Sequence, residues 1–121
     1  MNLFGVYTMN FYKRNHQARS ITVIAKEWYD RVNGNSYNAV RIYENGENGE
    51  LLAVLPMEYG YGQHYIQRTR EWLFSHYDDL KQHEKEREQG KACYLYDKDL
   101  FSMTILIERC LKREVLIHGG E

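Results

Sequence analysis

Residues 20–43 read SITVIAKEWYDRVNGNSYNAVRIY, and this stretch decides the fold. Ile21, Val23 and Ala25 alternate against Thr22 and Ile24 in a run rich in β-branched and aromatic types, the pattern of a pleated strand over 20–29. Asn33-Gly34 follows, a dipeptide that accepts positive φ at both positions of a tight turn. From Tyr37 to Tyr43 the alternation resumes, with Val40 and Ile42 set against Tyr37, Ala39 and Arg41. Strand, turn and strand predict a β-hairpin.

Reading outward, ENGENGE (44–50) supplies two further Asn-Gly pairs and then LLAVLPM (51–57). Leu51, Ala53, Leu55 and Met57 fall on one face and Leu52 and Val54 on the other, giving a second hairpin and a three-stranded antiparallel meander. Pro56 has no N–H for a ladder, so this strand either ends there or holds that position at a sheet edge. From His64 the period changes: Ile66, Thr69, Leu73, Tyr77 and Leu80, flanked by Tyr65, Trp72 and His76, recur at helical spacing. The charged run beyond Leu80 extends one long helix into solvent over 81–90, until Gly90 stops it.

Residues 92–96 (ACYLY) suit a short strand. Phe101, Met103, Ile105 and Ile107 then alternate with Ser102, Thr104, Leu106 and Glu108, the clearest period of two in the chain. A helix over 99–114 is the competing reading, disfavoured by the β-branched Thr104, Ile105 and Ile107. The sum is an α+β domain of two layers, an antiparallel β-sheet of about four to five strands packed on one long α-helix. Residues 1–15 read as a loose extension or an added strand. The middle strands are apolar on both faces, and a single helix covers only one, so the other face calls for a partner, a second copy of the chain being the simplest.

Composition bounds the function. The 121 residues, 43% hydrophobic, suit a single domain that buries roughly two-thirds of its unfolded surface. Sixteen Lys and Arg against 17 Asp and Glu leave no global field to draw the chain onto nucleic acid or an anionic membrane. Charge is nonetheless polarised: residues 1–43 carry six basic and two acidic side chains, and residues 44–63 four acidic and no basic ones. Two cysteines, Cys93 and Cys110, make no disulfide framework, no secretory leader is recognisable, and no run is long enough to span a bilayer. The reading is a cytoplasmic protein with no membrane partner.

The joint PMEYGYGQHYIQRTREWL (56–73) is the candidate site. Gly60 and Gly62 let the backbone take positive φ and let another group approach. The first helical amides near His64 favour an anion, and Tyr59, Tyr61 and His64 offer hydroxyls, ring faces and a titratable donor. The competing reading makes the glycines a strand-to-helix turn and the tyrosines staples. Asn33 and Asn35 in the first turn, with Tyr37 and Arg41 on the strand after it, complete the candidate binding residues, although turn chemistry alone accounts for the amides.

No nucleophile elbow, HExxH or acidic trio is present, so no catalytic residue is assigned. His64 and Glu71 stand two helical turns apart with nothing to motivate a reaction. His64, His76 and His83 lack the companions of a metal site, and no metal or cofactor is assigned. Lys13, Arg14, Arg19, Lys26, Arg31 and Arg41 interleave with Tyr12, Tyr29, Tyr37 and Tyr43, a charge-and-stacking composition that keeps nucleic acid as a secondary partner.

RVNGNSYNAVRIYENGE (31–47) followed by YGYGQHYIQRTREWL (59–73) resembles small bacteriophage- and prophage-encoded proteins of uncharacterised function that pair an NGNSY-like turn with a YGYG-like joint. The resemblance covers about residues 20–75 and fixes no chemistry. It implies a phage accessory protein that occupies a host protein's surface as a binding or inhibitory module, an anti-CRISPR-like inhibitor of a host defence system being one such role. A nucleic-acid or nucleotide binder using the same joint is the alternative.

Overall fold

The computed structural model describes residues 6–11, 19–46, 48–88 and 101–121. The fold is α+β. Among the described residues five strands form one sheet: β1 (Val6–Phe11), β2 (Arg19–Asp30), β3 (Asn35–Glu44), β4 (Glu50–Tyr59) and β5 (Phe101–Arg109). Three helices accompany them among the same residues: α1 (His64–His76), α2 (Asp78–Glu88) and α3 (Lys112–His118). The strand order is β1-β5-β2-β3-β4.

The β2–β3–β4 meander is antiparallel, as the alternation and the Asn-Gly turns require. The sheet as a whole is mixed. β5 enters between β1 and β2 and runs parallel to β2, with Val23 beside Ile105 and Glu27 beside Arg109, while β1 pairs antiparallel with the outer side of β5. Alternation reveals which face a residue takes but not which neighbour its strand chooses, so the all-antiparallel expectation fails at this insertion.

Turn chemistry also departs from expectation. The first hairpin is closed by four residues, Arg31 to Gly34, and only Gly34 is left-handed (φ 71°). Asp30 holds this loop, its carboxylate accepting from the Val32 and Asn33 amides and the Asn33 side chain, while its carbonyl accepts from Gly34. Those bonds hold the Asp30 carboxyl below its usual range. The second hairpin does use an Asn-Gly pair with positive φ at both positions, Asn45 (64°) and Gly46 (91°).

β4 is an edge strand, where Pro56 is tolerated. Its register against β3 slips twice, between Asn38 and Val40 and between Ile42 and Tyr43. Each slip inserts a residue and breaks the simple alternation. Leu52, Ala53 and Leu55 pack on the main core, Met57 packs on a second cluster, and Leu51 and Val54 stay exposed.

The main core lies under α1 and α2. Ile21, Val23, Ala25, Val40, Ile42, Met103, Ile105 and Ile107 point from the sheet at Tyr65, Leu73 and Leu80. Burying each large member contributes roughly 1.5–3 kcal/mol. The helix foreseen as continuous breaks at Tyr77, which is extended (φ −97°, ψ 123°). Asp78 and Asp79 open α2 as helix-start residues do, and the Tyr77 carbonyl accepts from the Lys81 amide. Leu80 still reaches the core, and beyond it Lys81, Gln82, Lys85 and Glu88 are exposed.

The opposite sheet face also has a helix, which the sequence reading lacks. After β5 the chain turns at Cys110 and Leu111 into α3, which packs on β2, β3 and β4. Ala39, Cys110 and Val115, with Trp28 and Met57, form a second small core there. The residues once read as either strand or helix are both in succession, strand to Arg109 and helix from Lys112. With α3 in place, this face no longer requires a second copy of the chain. The strand expected at 92–96 lies outside the described residues, as does Cys93; Cys110 is buried, its thiol pushed up to about 11 by burial.

Candidate functional site

Two segments far apart in sequence meet at one end of the sheet. Tyr61, in the joint after β4, donates its hydroxyl to the Gly34 carbonyl (3.2 Å) and to Asn35 Oδ1 (3.3 Å) in the first turn. Beside it the Gly60 amide donates to the Ser36 carbonyl (3.0 Å). The NGNSY turn and the YGYG joint are therefore one structural unit.

On the α3 face of this end, aromatic rings run across three strands into the joint. Trp28 and Tyr37 face each other across the β2–β3 pair with centroids 5.4 Å apart. Tyr37 meets Tyr59 edge-on at 6.0 Å, and Tyr59 meets Tyr61 edge-on at 5.1 Å. Edge-to-face contacts hold such rings in defined seats. Tyr59 and Tyr61 nevertheless stay 49% and 55% exposed, while Lys112 at the start of α3 places its ammonium 5.4 Å from the Trp28 centroid.

Beneath the joint, on the other face, four polar side chains close a ring. Arg68 donates to Asn38 Oδ1 (3.0 Å), which fixes the amide so that Asn38 Nδ2 donates to His64 Nδ1 (3.2 Å). His64 Nδ1 is then the acceptor and Nε2 carries the proton, 3.9 Å from Glu58 Oε1. Glu58 Oε2 closes the circuit 3.3 Å from Arg68 Nε. Arg68 is only 7% exposed, and its guanidinium also serves the Asn38 carbonyl (2.9 Å) and the Pro56 carbonyl (2.7 Å), backbone groups at the first β3–β4 slip. Burial pulls the Arg68 pKa down against the opposing pull of Glu58 and Glu71. Arg68 thus ties α1 to an irregular sheet edge.

Gly60 is required by this ring rather than by its φ, which is not positive. A Cβ there would run into the His64 imidazole. Gly62 is the left-handed residue of the joint (φ 57°), and open space surrounds it. At the helix start expected to favour an anion, the chain supplies partners of its own to part of the amide cluster. The His64 amide donates to Tyr61 and the Ile66 amide to Gln63, and the Glu58 carboxylate already stands beside His64 and Arg68.

Of the sequence-derived candidates, Tyr37, Tyr59, Gly60, Tyr61, Asn35 and His64 come together. Gly62 adjoins them, and Asn33 braces the turn through Asp30. Arg41 does not belong here. It lies under the end of α3, donating Nε to the His118 carbonyl (2.9 Å) and Nη2 to the Ile117 carbonyl (3.3 Å), where a cation complements the carbonyl end of a helix. Trp28, Asn38, Glu58 and Arg68 were missed. Trp28 was within reach, since the hairpin register sets it opposite Tyr37.

Around the same end lies a cleft of about 890 Å³ lined by Glu27, Trp28, Tyr29, Asp30, Arg31, Val32, Ser36, Arg109 and Leu111. A smaller one of about 320 Å³ sits over Ile24, Lys26, Arg41, Tyr43, Leu106, Glu108 and His118. Among the described residues no helix is long and apolar enough to cross a membrane. The chain matches no protein-family model, no curated protein and no solved structure.

Proposed function

We propose that the chain is a protein-binding module whose tyrosine-rich end is the docking surface. The observation that carries this reading is the run Trp28–Tyr37–Tyr59–Tyr61, whose last two members are held by ring contacts and by the Tyr61 hydroxyl bond yet remain half exposed. Trp and Tyr seated in advance bury large area on binding at little entropic cost, which is why they dominate interface energetics. Tyr29 (56% exposed), Val32 (92%) and Leu111 extend the apolar area around the same end.

The phage resemblance supplies the biological setting: an accessory protein in the cytoplasm of a bacterial host, covering the working surface of a host protein such as a defence component. The near-zero net charge favours a protein partner over a polyanion. Nucleic acid is the second reading, favoured by the Lys112 ammonium over the Trp28 ring, an arrangement suited to a stacked base and its phosphate.

Immobilised protein exposed to bacterial lysate, beside a Tyr59→Ala/Tyr61→Ala variant, tests the first reading. A host protein retained by the wild type and lost by the variant supports it, and equal retention by both removes it. Salt-sensitive retention of nucleic acid by purified protein moves the assignment to the second reading.

A further inference from the structure

Within the proposed docking end, one strand position stands unfilled among the described residues. β5 stops pairing at Arg109, opposite Glu27, while β2 runs on to Asp30. The Cys110 amide still donates to the Glu27 carbonyl (2.8 Å), and the chain then turns into α3. That bond fixes the direction of every second backbone group on β2. Since the Glu27 carbonyl faces β5, the N–H and C=O of Tyr29, two residues on, face the same side, while those of Trp28 and Asp30 face β3. Among the described residues nothing pairs with Tyr29 on that side. The 890 Å³ cleft opens there.

We infer that this position accepts an extended peptide segment of the partner protein, which continues the line of β5 and pairs with the Tyr29 backbone. The side chains around the cleft state its chemistry. Arg109 takes the face of Ile105 and Ile107 and lies 3.6 Å from Glu27, with its own side chain 67% exposed and able to meet a second carboxylate. Arg31 is exposed in the adjoining turn and has no ion-pair partner among the described residues. The cleft's acids are engaged, Glu27 by Arg109 and Asp30 by its own turn. Trp28, Val32 and Leu111 give it an apolar wall. Successive side chains of a strand alternate between faces, so the matching segment alternates acidic with apolar residues. This rests on the protein-binding reading and narrows it to a mode of recognition.

The test is titration of the ¹⁵N-labelled chain with a capped peptide of sequence EVELEV, its N-methylated form and a KVKLKV control, followed by amide shifts and exchange. The expected result is a shift and slowed exchange at the Tyr29 amide with EVELEV, and affinity lower by about tenfold for the N-methylated peptide, the worth of one hydrogen bond. KVKLKV binds more weakly still. Tyr29→Pro, which removes the outward N–H, abolishes the peptide-induced shifts at the neighbouring Trp28 and Asp30 amides and weakens peptide affinity at least as much as N-methylation does, whereas Tyr29→Ala keeps both. The inference is overturned if EVELEV leaves the Tyr29 amide unmoved at millimolar concentration, if N-methylation changes nothing, or if oligo(dT) moves the same amides as strongly. A silent Tyr29 alongside lysate capture that depends on Tyr59 and Tyr61 defeats the strand position alone. Capture indifferent to Tyr59 and Tyr61 defeats the underlying reading.

Discussion

The Tyr61 hydroxyl donates to the Gly34 carbonyl across 27 residues of sequence, joining the strand-to-helix joint to the first hairpin turn. The bond is exposed, so its net contribution to stability is at most about 1 kcal/mol. Tyr61→Phe keeps the ring and its edge contact with Tyr59 and should shift a urea midpoint only slightly. Tyr61→Ala should also leave a folded protein, with the loss appearing in partner binding. A large fall in melting temperature for Tyr61→Ala would make the ring a packing element instead.

Gly60 and His64 are coupled by space. A methyl at position 60 displaces the imidazole and opens the Arg68–Asn38–His64–Glu58 ring. Gly60→Ala should therefore destabilise by about 1–3 kcal/mol. On a His64→Ala background the same change should cost much less, because the obstacle is gone, and a double-mutant cycle by denaturant unfolding reads that coupling. Gly62→Ala, left-handed but unobstructed, should cost only about 1 kcal/mol in the same measurement.

Arg68 joins α1 to the slipped edge of β4, and its removal leaves the Asn38 and Pro56 carbonyls without their donor. Arg68→Ala should cost about 2–4 kcal/mol, mainly from the carbonyls left without a donor, because the Glu58 carboxylate it leaves behind is more than half exposed. A loss under 1 kcal/mol in urea unfolding would show that water replaces the guanidinium without penalty.

His118 sets a pH dependence. It is buried, its Nε2 donates to the Ile24 carbonyl (2.7 Å), and burial, aided by Arg41 and Lys26, lowers its pKa to about 4 against the opposing hydrogen bond to Ile24. Glu108, paired with Lys26, is the acidic group beside it at the smaller cleft. A depressed histidine pKa means the unfolded chain binds the proton first. Stability is fully present above the ordinary value of 6.5, falls as pH drops from there toward 4, and loses about 3 kcal/mol in all. Denaturant unfolding at pH 7 and pH 4.5 should show most of that loss in the wild type, and a His118→Gln variant should show a flatter profile. Identical slopes for the two proteins would contradict the assignment.

Much of this fold could be read in the sequence because it is local. The β2–β3–β4 meander follows from alternation broken by turn residues, although only the second hairpin uses its Asn-Gly pair as expected, and α1 follows from its apolar stripe. What stayed hidden is relational. The parallel seat of β5 between β1 and β2 depends on partner choice, which no period encodes. The short α3 carries too few apolar residues to announce itself beside a stronger strand signal. At the site, the tyrosines and glycines were visible as a cluster, but Arg68 and Asn38 were not. A buried arginine bonded to the carbonyls of a slipped strand looks in sequence like any polar position on a helix.

The most direct test of the account is the affinity of a captured host protein for the wild type and for Tyr59→Ala/Tyr61→Ala, measured beside each protein's melting curve. The account predicts affinity weakened by at least about tenfold, roughly 1.4 kcal/mol or more, with melting nearly unchanged. Equal affinity for the two proteins would place the docking surface elsewhere and contradict it.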